Sequence, residues 1–256
     1  MPNFKCIDVS EWQGTIDWKK VKESGIEFAI LRAGFGRESS QVDDEFERNY
    51  KNAKKAGVKL GAYWFSYADS VADAEREAKA CLTVLKGKTF ELPIYYDLEF
   101  NDQTAYGKTV LTNIAKKFCD TVKSKGYSVG VYASLNWFTN YLNYEALKKL
   151  YSIWLAQYYK TNQLDCDIWQ HTSEGAVKGI LNAVDLNVIF NTKILNISGD
   201  VNNDGKVNVK DVTLIQKHTA KSKKLTKEQL KKADVNNDGK VNVKDATALQ
   251  KKIAKM

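Results

Sequence analysis

Two carboxylates set two positions apart, Asp97 and Glu99 in Tyr95-Tyr-Asp97-Leu-Glu99, are the residues of this chain best suited to chemistry. On an extended strand such a pair shares one face, and at ~3.3 Å rise per residue the two backbones lie roughly 6.6 Å apart. Acids sharing a cleft do not ionise alike, because repulsion and burial keep one of them protonated near neutrality. Glycosidic cleavage needs that division: a proton for the leaving oxygen and a negative charge beside an oxocarbenium-like centre. The spacing alone also suits an inverting reaction with a water between the acids, and many Asp-x-Glu pairs only cap loops or pair with lysine. Asp8 and Asp185 extend the set if the first and last strands are neighbours, as closure of a barrel requires. Tyr63, Tyr132, Trp154 and Tyr158 fall near strand ends, where aromatic rings either pack or stack on sugars. Trp18, Phe28 and Phe118 read as core.

The elements that must hold these residues follow from periodicity. Residues 4–190 alternate short apolar runs with amphipathic stretches, the pattern of βα units around a parallel sheet. Strands are expected at Lys5–Val9, Phe28–Ala33, Leu60–Tyr67, Leu92–Glu99, Ser128–Ala133, Ile153–Tyr158 and Asp167–His171, with an eighth at Val184–Val188. Helices are expected at Trp18–Ser24, Glu45–Ala56, Ala72–Leu85, Thr109–Lys125 and Tyr144–Leu150. More strands than helices suggests an α/β fold, a (β/α) barrel that becomes irregular late in the chain, with a doubly wound open sheet as the alternative. The acid pair then lies at the strand C-terminal ends, the face that carries active sites in such barrels.

A second kind of chemistry is written twice. Asp200–Asp211 and Asp234–Asp245 both read DVNNDGKVNVKD, a tandem duplication. The pattern fits a calcium loop with oxygen ligands at positions 1, 3, 5, 7, 9 and 12. These are Asp200, Asn202, Asp204, the carbonyl of Lys206, Asn208 and Asp211, then Asp234, Asn236, Asp238, the carbonyl of Lys240, Asn242 and Asp245. A hard cation of high coordination number suits this all-oxygen set, whereas zinc or copper would want His or Cys. Position 12 is Asp and no amphipathic helix precedes Asp200. In these respects the 57 terminal residues resemble a type I dockerin, a module that binds cohesin domains on scaffold proteins of extracellular multi-enzyme complexes. Partner choice in that family rests partly on loop positions 10 and 11, here Val209-Lys210 and Val243-Lys244 in place of the common hydroxyl-rich pair. Three divisions are expected: 1–192, a linker at 193–199, and 200–256.

Charge and cysteine usage narrow the rest. Residues 200–256 hold 14 Lys against 7 acidic side chains, so nearly all of the net +8 sits in the tail. No basic stripe interleaved with aromatics appears there; an acidic partner or an anionic wall fits better than nucleic acid. Cys6, Cys81, Cys119 and Cys166 show no Cys-x-x-Cys spacing and each lies in an apolar stretch, so buried free thiols are expected and zinc is not. No run of about 18 apolar residues exists to span a membrane. The start of the chain shows no apolar leader, which fits either a mature form or a protein that stays inside.

Taken together, Asp8…Gln13-Gly14…Asp17-Trp18, Gly61-Ala-Tyr63, Asp97-x-Glu99, Trp154-x-Ala-x-Tyr158 and Trp169-Gln170 resemble glycoside hydrolase family 25 over roughly residues 3–190. These are the lysozymes, N-acetylmuramidases that cleave peptidoglycan. Leu31-Arg-Ala-Gly34 departs from the Lys-x-Thr-Glu-Gly that many members carry, which bears on substrate contacts around Arg32 and not on the acid pair. The resemblance implies Glu99 as general acid, Asp97 orienting an attacking 2-acetamido group, and Asp8 and Asp185 completing the catalytic set. Tyr63, Tyr132, Trp154, Tyr158, Gln170 and Arg32 would contact the glycan. It implies no catalytic cofactor, two structural calcium ions in the tail, peptidoglycan and a cohesin as partners, a monomer, and an extracellular or scaffold-bound location. The rival readings are a chitinase or endo-N-acetylglucosaminidase, against which Leu92 and Tyr95 stand where further aspartates would fall, and a non-catalytic glycan-binding subunit. A nucleotide-binding protein lacks its Gly-rich loop.

Overall fold

The structure, a computed structural model, describes residues 4–254; 1–3 and 255–256, the outermost residues of the expected domains, lie outside it. It divides into two compact units, Met1–Ile194 and Leu195–Met256. The division falls inside the expected linker, and from Leu195 onward the chain belongs to the second unit. Buried Lys232 shows why: its ammonium donates to the Leu195 carbonyl, and its own carbonyl accepts from Gly199 N–H at 2.9 Å.

In the first unit eight strands close into a barrel in sequence order. They are β1 (Phe4–Val9), β2 (Phe28–Phe35), β3 (Lys59–Phe65), β4 (Ile94–Asp97), β5 (Val129–Ser134), β6 (Ser152–Ala156), β7 (Ile168–Gly175) and β8 (Val184–Ile189). Helices α1 (Trp18–Glu23), α2 (Phe46–Lys55), α3 (Val71–Val84), α4 (Gly107–Lys123) and α5 (Tyr144–Lys148) fill the connections between the first six strands. Every element expected from periodicity is present, with ends displaced by a few residues, and the open sheet is excluded by closure.

Two differences matter. β4 stops at Asp97, so Glu99 lies just past the strand, although Leu98 N–H still reaches the Tyr132 carbonyl at 3.0 Å and keeps the chain extended. β8 runs antiparallel to both β7 and β1. Only residues 176–183 separate it from β7, too few for the helical crossover that a parallel return needs, so the chain turns back as a hairpin. The late irregularity expected from the sequence is this missing helix.

Alternation along each strand sorts the lumen from the helix layer. On β4, Ile94 and Tyr96 face the helices, where Tyr96 stacks on Phe118 of α4 at 3.9 Å. Tyr95 and Asp97 face the lumen. Tyr95 packs on Trp154 of β6 at 5.2 Å, and Gly130 of β5 admits its ring, since a Cβ there would lie 2.3 Å from it. The outer core includes Trp18, Phe46, Leu60, Leu111 and Phe118, all buried, together with the free thiols Cys81 and Cys119. Burying side chains of this size contributes about 1.5–3 kcal/mol each, so the barrel stands on its own apolar core.

The second unit is smaller. Its helices are α6 (Val209–Thr219), α7 (Lys227–Ala233) and α8 (Val243–Ile253); α6 packs against α8. Val201, Val212, Ile215, Leu225, Ala233, Ala246 and Leu249 are its buried apolar residues. Each duplicated loop runs into its helix through an Asn N-cap, Asn208 or Asn242, closed reciprocally by Asp211 or Asp245 three residues later.

Candidate active site and oxygen-rich loops

The four acids meet at the barrel mouth. Asp8, Asp97, Glu99 and Asp185 line a cleft of about 200 Å³, whose walls are completed by Tyr63, Tyr132, Trp154, Tyr158 and Gln170. Register explains the meeting: Asp8 on β1 faces Asp185 on β8, and Asp97 on β4 pairs with Tyr132 on β5. A larger groove of about 650 Å³ opens outside β8 beside Lys5, Lys20 and Val188, but no pair of acids reaches it.

The acids are held differently. Asp8 is buried, and its Oδ2 accepts from Gln170 Nε2 at 3.0 Å and from Asn187 Nδ2 at 2.7 Å. Gln170 in turn accepts from the Tyr132 and Tyr158 hydroxyls, both at 3.0 Å, and Asn187 accepts from Trp154 Nε1 at 2.7 Å. Two amide donors, themselves held by the hydroxyls and the indole, thus converge on Asp8 and favour its charged form, while burial and the neighbouring Asp185 outweigh them and raise its pKa well above the ordinary carboxylate range.

Asp97 is also buried, and its Oδ1 has no hydrogen-bond partner among the described residues. Burial first, then Glu99 and Asp8, push its pKa well up; Arg32 pulls the other way. Glu99 is open to solvent at the rim yet walled by crowded neighbours, and that desolvation, together with Asp185, raises its pKa. Burial raises Asp185 to about 6. Full ionisation of all four near neutrality is therefore disfavoured, so this cleft is built to keep a proton.

Of the residues expected to contact a glycan, Arg32 alone is absent from the cleft wall. Its guanidinium is engaged by Asp43, with Nε at 2.6 Å from Oδ2, and by Glu11, and it acts on Asp97 through its charge. Trp154 is 1% exposed and forms the floor, packed against Tyr63 and Tyr132; Tyr158, 53% exposed, stands at the rim. Asn187 and Asp43 were given no role by sequence reasoning. Asn187 lies in the strand expected at Val184–Val188 and shares the Asp185 face at a spacing of two, a signal that points to it.

In the second unit the loop oxygens turn toward backbone donors. Asp200 Oδ1 and Oδ2 accept from Asp204 and Gly205 N–H at 3.1 and 3.0 Å, and Asp211 accepts from Val201, Asn202 and Asn208. Asp234 and Asp245 repeat these contacts with Asp238, Gly239, Val235, Asn236 and Asn242. Gly205 and Gly239 hold φ +83° and +79°, a turn that a side chain would strain. Asp200 and Asp211 are fully buried, and Asp200 is pushed up by burial and by Asp211 and Asp204. No group of three or more His, Cys, Asp or Glu placed to hold a metal occurs among the described residues; the oxygen set here is mixed, with Asn amides and backbone carbonyls beside the carboxylates. The chemistry of that set fits calcium.

Comparison with known proteins agrees with this division. Residues 7–180 match Glycosyl hydrolases family 25, and residues 198–254 match the Dockerin type I domain. An autolytic lysozyme of Clostridium acetobutylicum is 29% identical over 72% of this chain and 55% of its own length. Lysozyme M1 of Streptomyces globisporus is 30% identical over 71% of this chain and 66% of its own length. The modular autolysin LytC of Streptococcus pneumoniae, solved with a synthetic peptidoglycan ligand, superposes with a TM-score of 0.66 at 29% identity, covering 73% of this chain and 47% of LytC. The chain thus spans between about half and two thirds of the length of these relatives.

Proposed function

The chain belongs to glycosyl hydrolases family 25 and ends in a type I dockerin domain, and from that premise we propose that it is a lysozyme that cleaves the β-1,4 bond between N-acetylmuramic acid and N-acetylglucosamine in peptidoglycan. The observation that carries the reading is four acids in one cleft, with Glu99 at its open rim and a partnerless Asp97 oxygen beside it. Glu99, its pKa raised, holds the proton and delivers it to the bridging oxygen as the bond breaks. Asp97 offers its free oxygen to the N–H of the substrate's 2-acetamido group, aligning the acetamido oxygen for attack on the anomeric carbon. Asp185 keeps negative charge beside Glu99, which favours both the protonated Glu99 and the developing positive charge, while Asp8 is fixed by Gln170 and Asn187 at the back of the cleft. Tyr63, Tyr132 and Tyr158 line the path of the sugars over the Trp154 floor, and Arg32 braces the β2 side through Asp43 and Glu11.

Asp200, Asn202, Asp204, the Lys206 carbonyl, Asn208 and Asp211 would hold one calcium ion, with Asp234, Asn236, Asp238, the Lys240 carbonyl, Asn242 and Asp245 holding a second. Bound calcium supplies positive charge to carboxylates that otherwise repel, and so supplies folding free energy. The folded tail docks on a cohesin domain, outside the cell, so the enzyme works at the wall as a scaffold-bound monomer. Analysis of the new reducing ends released from purified peptidoglycan tests the reaction. Muramic acid at those ends is expected; N-acetylglucosamine there would sink the muramidase assignment.

A further inference from the structure

We propose that Glu77, on α3, is a positioning residue for the segment that carries Asp97 and Glu99, anchoring a buried hydrogen-bond chain that fixes the backbone on both sides of the two acids. The inference rests on reading Glu99 as the acid. Glu77 is fully buried, outside the cleft. Its Oε1 accepts from Tyr67 N–H at 2.9 Å, and its Oε2 accepts from the Tyr96 hydroxyl at 2.6 Å. Tyr96 O accepts from the Ser66 hydroxyl at 2.8 Å. Ser66 Oγ accepts from Gln103 Nε2 at 3.0 Å and from Ala68 N–H at 3.2 Å, while Gln103 Nε2 also donates to the Ala68 carbonyl at 2.7 Å. Tyr96 immediately precedes Asp97, and Gln103 lies in the turn Asn101–Tyr106 that follows Glu99. Ser66 N–H, in addition, donates to the Asp97 carbonyl at 3.0 Å. The six residues between Tyr96 and Gln103 are therefore tied at each end to one network.

The direction of every proton in that network is fixed. Ser66 Oγ already accepts twice, so its own hydrogen goes to Tyr96, and the Tyr96 hydrogen goes on to Glu77. A backbone N–H occupies the other carboxylate oxygen. The chain therefore needs an acceptor-only end, which an ionised carboxylate supplies and an amide does not. With Gln at 77, its oxygen meets one donor while its NH₂ confronts the other, and the Tyr96–Ser66–Gln103 order breaks.

The cost of this arrangement supports a functional reason for it. Burial pushes Glu77 up to about 7, against the donors Tyr96 and Tyr67 and the charge of Arg37. Arg37 is itself shared with Asp69 and Asp73, and Cys81 one turn along α3 is a further group that Glu77 acts on. Because the folded pKa is raised, the contribution to stability is fully present below the unfolded value and is lost as pH rises through about 7. At pH 8 the ionised group keeps the acceptor-only end that the chain needs and carries its desolvation cost with it.

The test compares Glu77→Gln, Tyr96→Phe and the double variant in the full chain, on a defined soluble muramyl–glucosaminyl oligosaccharide. A drop of about ten-fold in kcat is expected for Glu77→Gln, with KM within two-fold and a thermal midpoint at pH 8 no lower than the parent's. The double variant should lose no more than the worse single one, because both break the same chain. Unchanged kcat in Glu77→Gln, or losses that multiply, would overturn the proposal. If Glu77→Gln does not fold, Tyr96→Phe alone decides it: its ring keeps the Phe118 stack, and an unaltered kcat rejects the role. A parent that ignores muramyl substrates rejects the proposed function instead. In that case a crystal structure of Glu77→Gln still decides here, since Glu99 and Gln103 in their parent positions would refute the anchoring.

Discussion

The two units gather acids in opposite ways. In the barrel, four carboxylates are forced together by strands whose stability comes from elsewhere, a large apolar core between sheet and helices. Asp97 is left with an oxygen that nothing among the described residues satisfies. In the tail, the loop carboxylates are saturated by their own backbone: Asp200, Asp211, Asp234 and Asp245 accept from ten N–H groups between them, over a core of only seven buried apolar residues. A scaffold with stability to spare can hold charge under strain and use it on a substrate. A scaffold without it must have its charge neutralised to fold at all.

The sharpest break of this comparison is in the barrel. Glu99→Gln keeps size and hydrogen-bonding shape but removes the transferable proton. Loss of about 100-fold or more in peptidoglycan hydrolysis is expected, the contribution of one general acid, while the tail stays as it was. Near-full lytic activity in this variant would mean that the acid lies elsewhere.

Next in size is calcium removal. A chelator should abolish the helical signal of an isolated tail from Leu195 onward and leave hydrolysis by a chain ending at Ile194 untouched, because the oxygen-rich loops all lie after the division. Circular dichroism and a wall-turbidity assay read the two halves separately. Chelator inhibition of the shortened chain would show that the units do not divide the work in this way.

A smaller effect tests strain in the cleft. Asp97 and Asp8 have pKa values raised by burial, and Asp185 is raised to about 6. For such groups the stabilising contribution is complete below the unfolded carboxylate range and disappears as pH rises through the folded value. The barrel should therefore melt at a higher temperature near pH 5 than near pH 8, for this part of its pH dependence. Asp97→Asn should narrow that gap by raising the midpoint at pH 8 by a few degrees while lowering activity. A variant that melts lower at pH 8 than the parent would show that Asp97 stabilises the fold as an ion.

How far the sequence reveals this contrast depends on the reach of each interaction. Asp97, Glu99, Asp8 and Asp185 were legible because strand periodicity and barrel closure are local rules with a global consequence. The direction of β8 was not, since alternation reads the same either way and only the short 176–183 connection decides it. Asp43 meets Arg32 across 11 residues of chain, where no spacing rule applies, and Asn187 shares a strand face with Asp185 while its bond to Asp8 spans 179 residues, so spacing places it on the face without giving its partner. Glu77 sits in Glu75-Arg-Glu77, which looks like a solvated helix face until Tyr96 and Tyr67 are placed against it. Helix α7 carries little periodic signal because Lys227–Ala233 is short and polar, although Thr226 and Gln229 form a capping box that marks its start.

The smallest expected effect concerns the duplicated surface of the tail. Val209 and Val243 stand 67% and 65% exposed at the first turns of α6 and α8, each followed by an exposed lysine. The loops before them are identical in sequence and repeat the same backbone contacts, and Gln216-Lys217 and Gln250-Lys251 recur at the same offset. A rotation of about 180° would then exchange near-equivalent faces, so a cohesin could engage either one. An exposed apolar side chain matters to binding only where a partner covers it. With two usable faces, loss of one leaves half of the binding modes, a change of about 0.4 kcal/mol by RT ln 2, or two-fold in affinity. Replacing Val209-Lys210 alone, or Val243-Lys244 alone, should therefore be nearly silent in calorimetry with a cohesin that binds the parent. Replacing both pairs should abolish the signal. A large loss from either single replacement would show that sequence identity does not make the two faces equivalent, and that one copy carries the docking while the other only completes the fold.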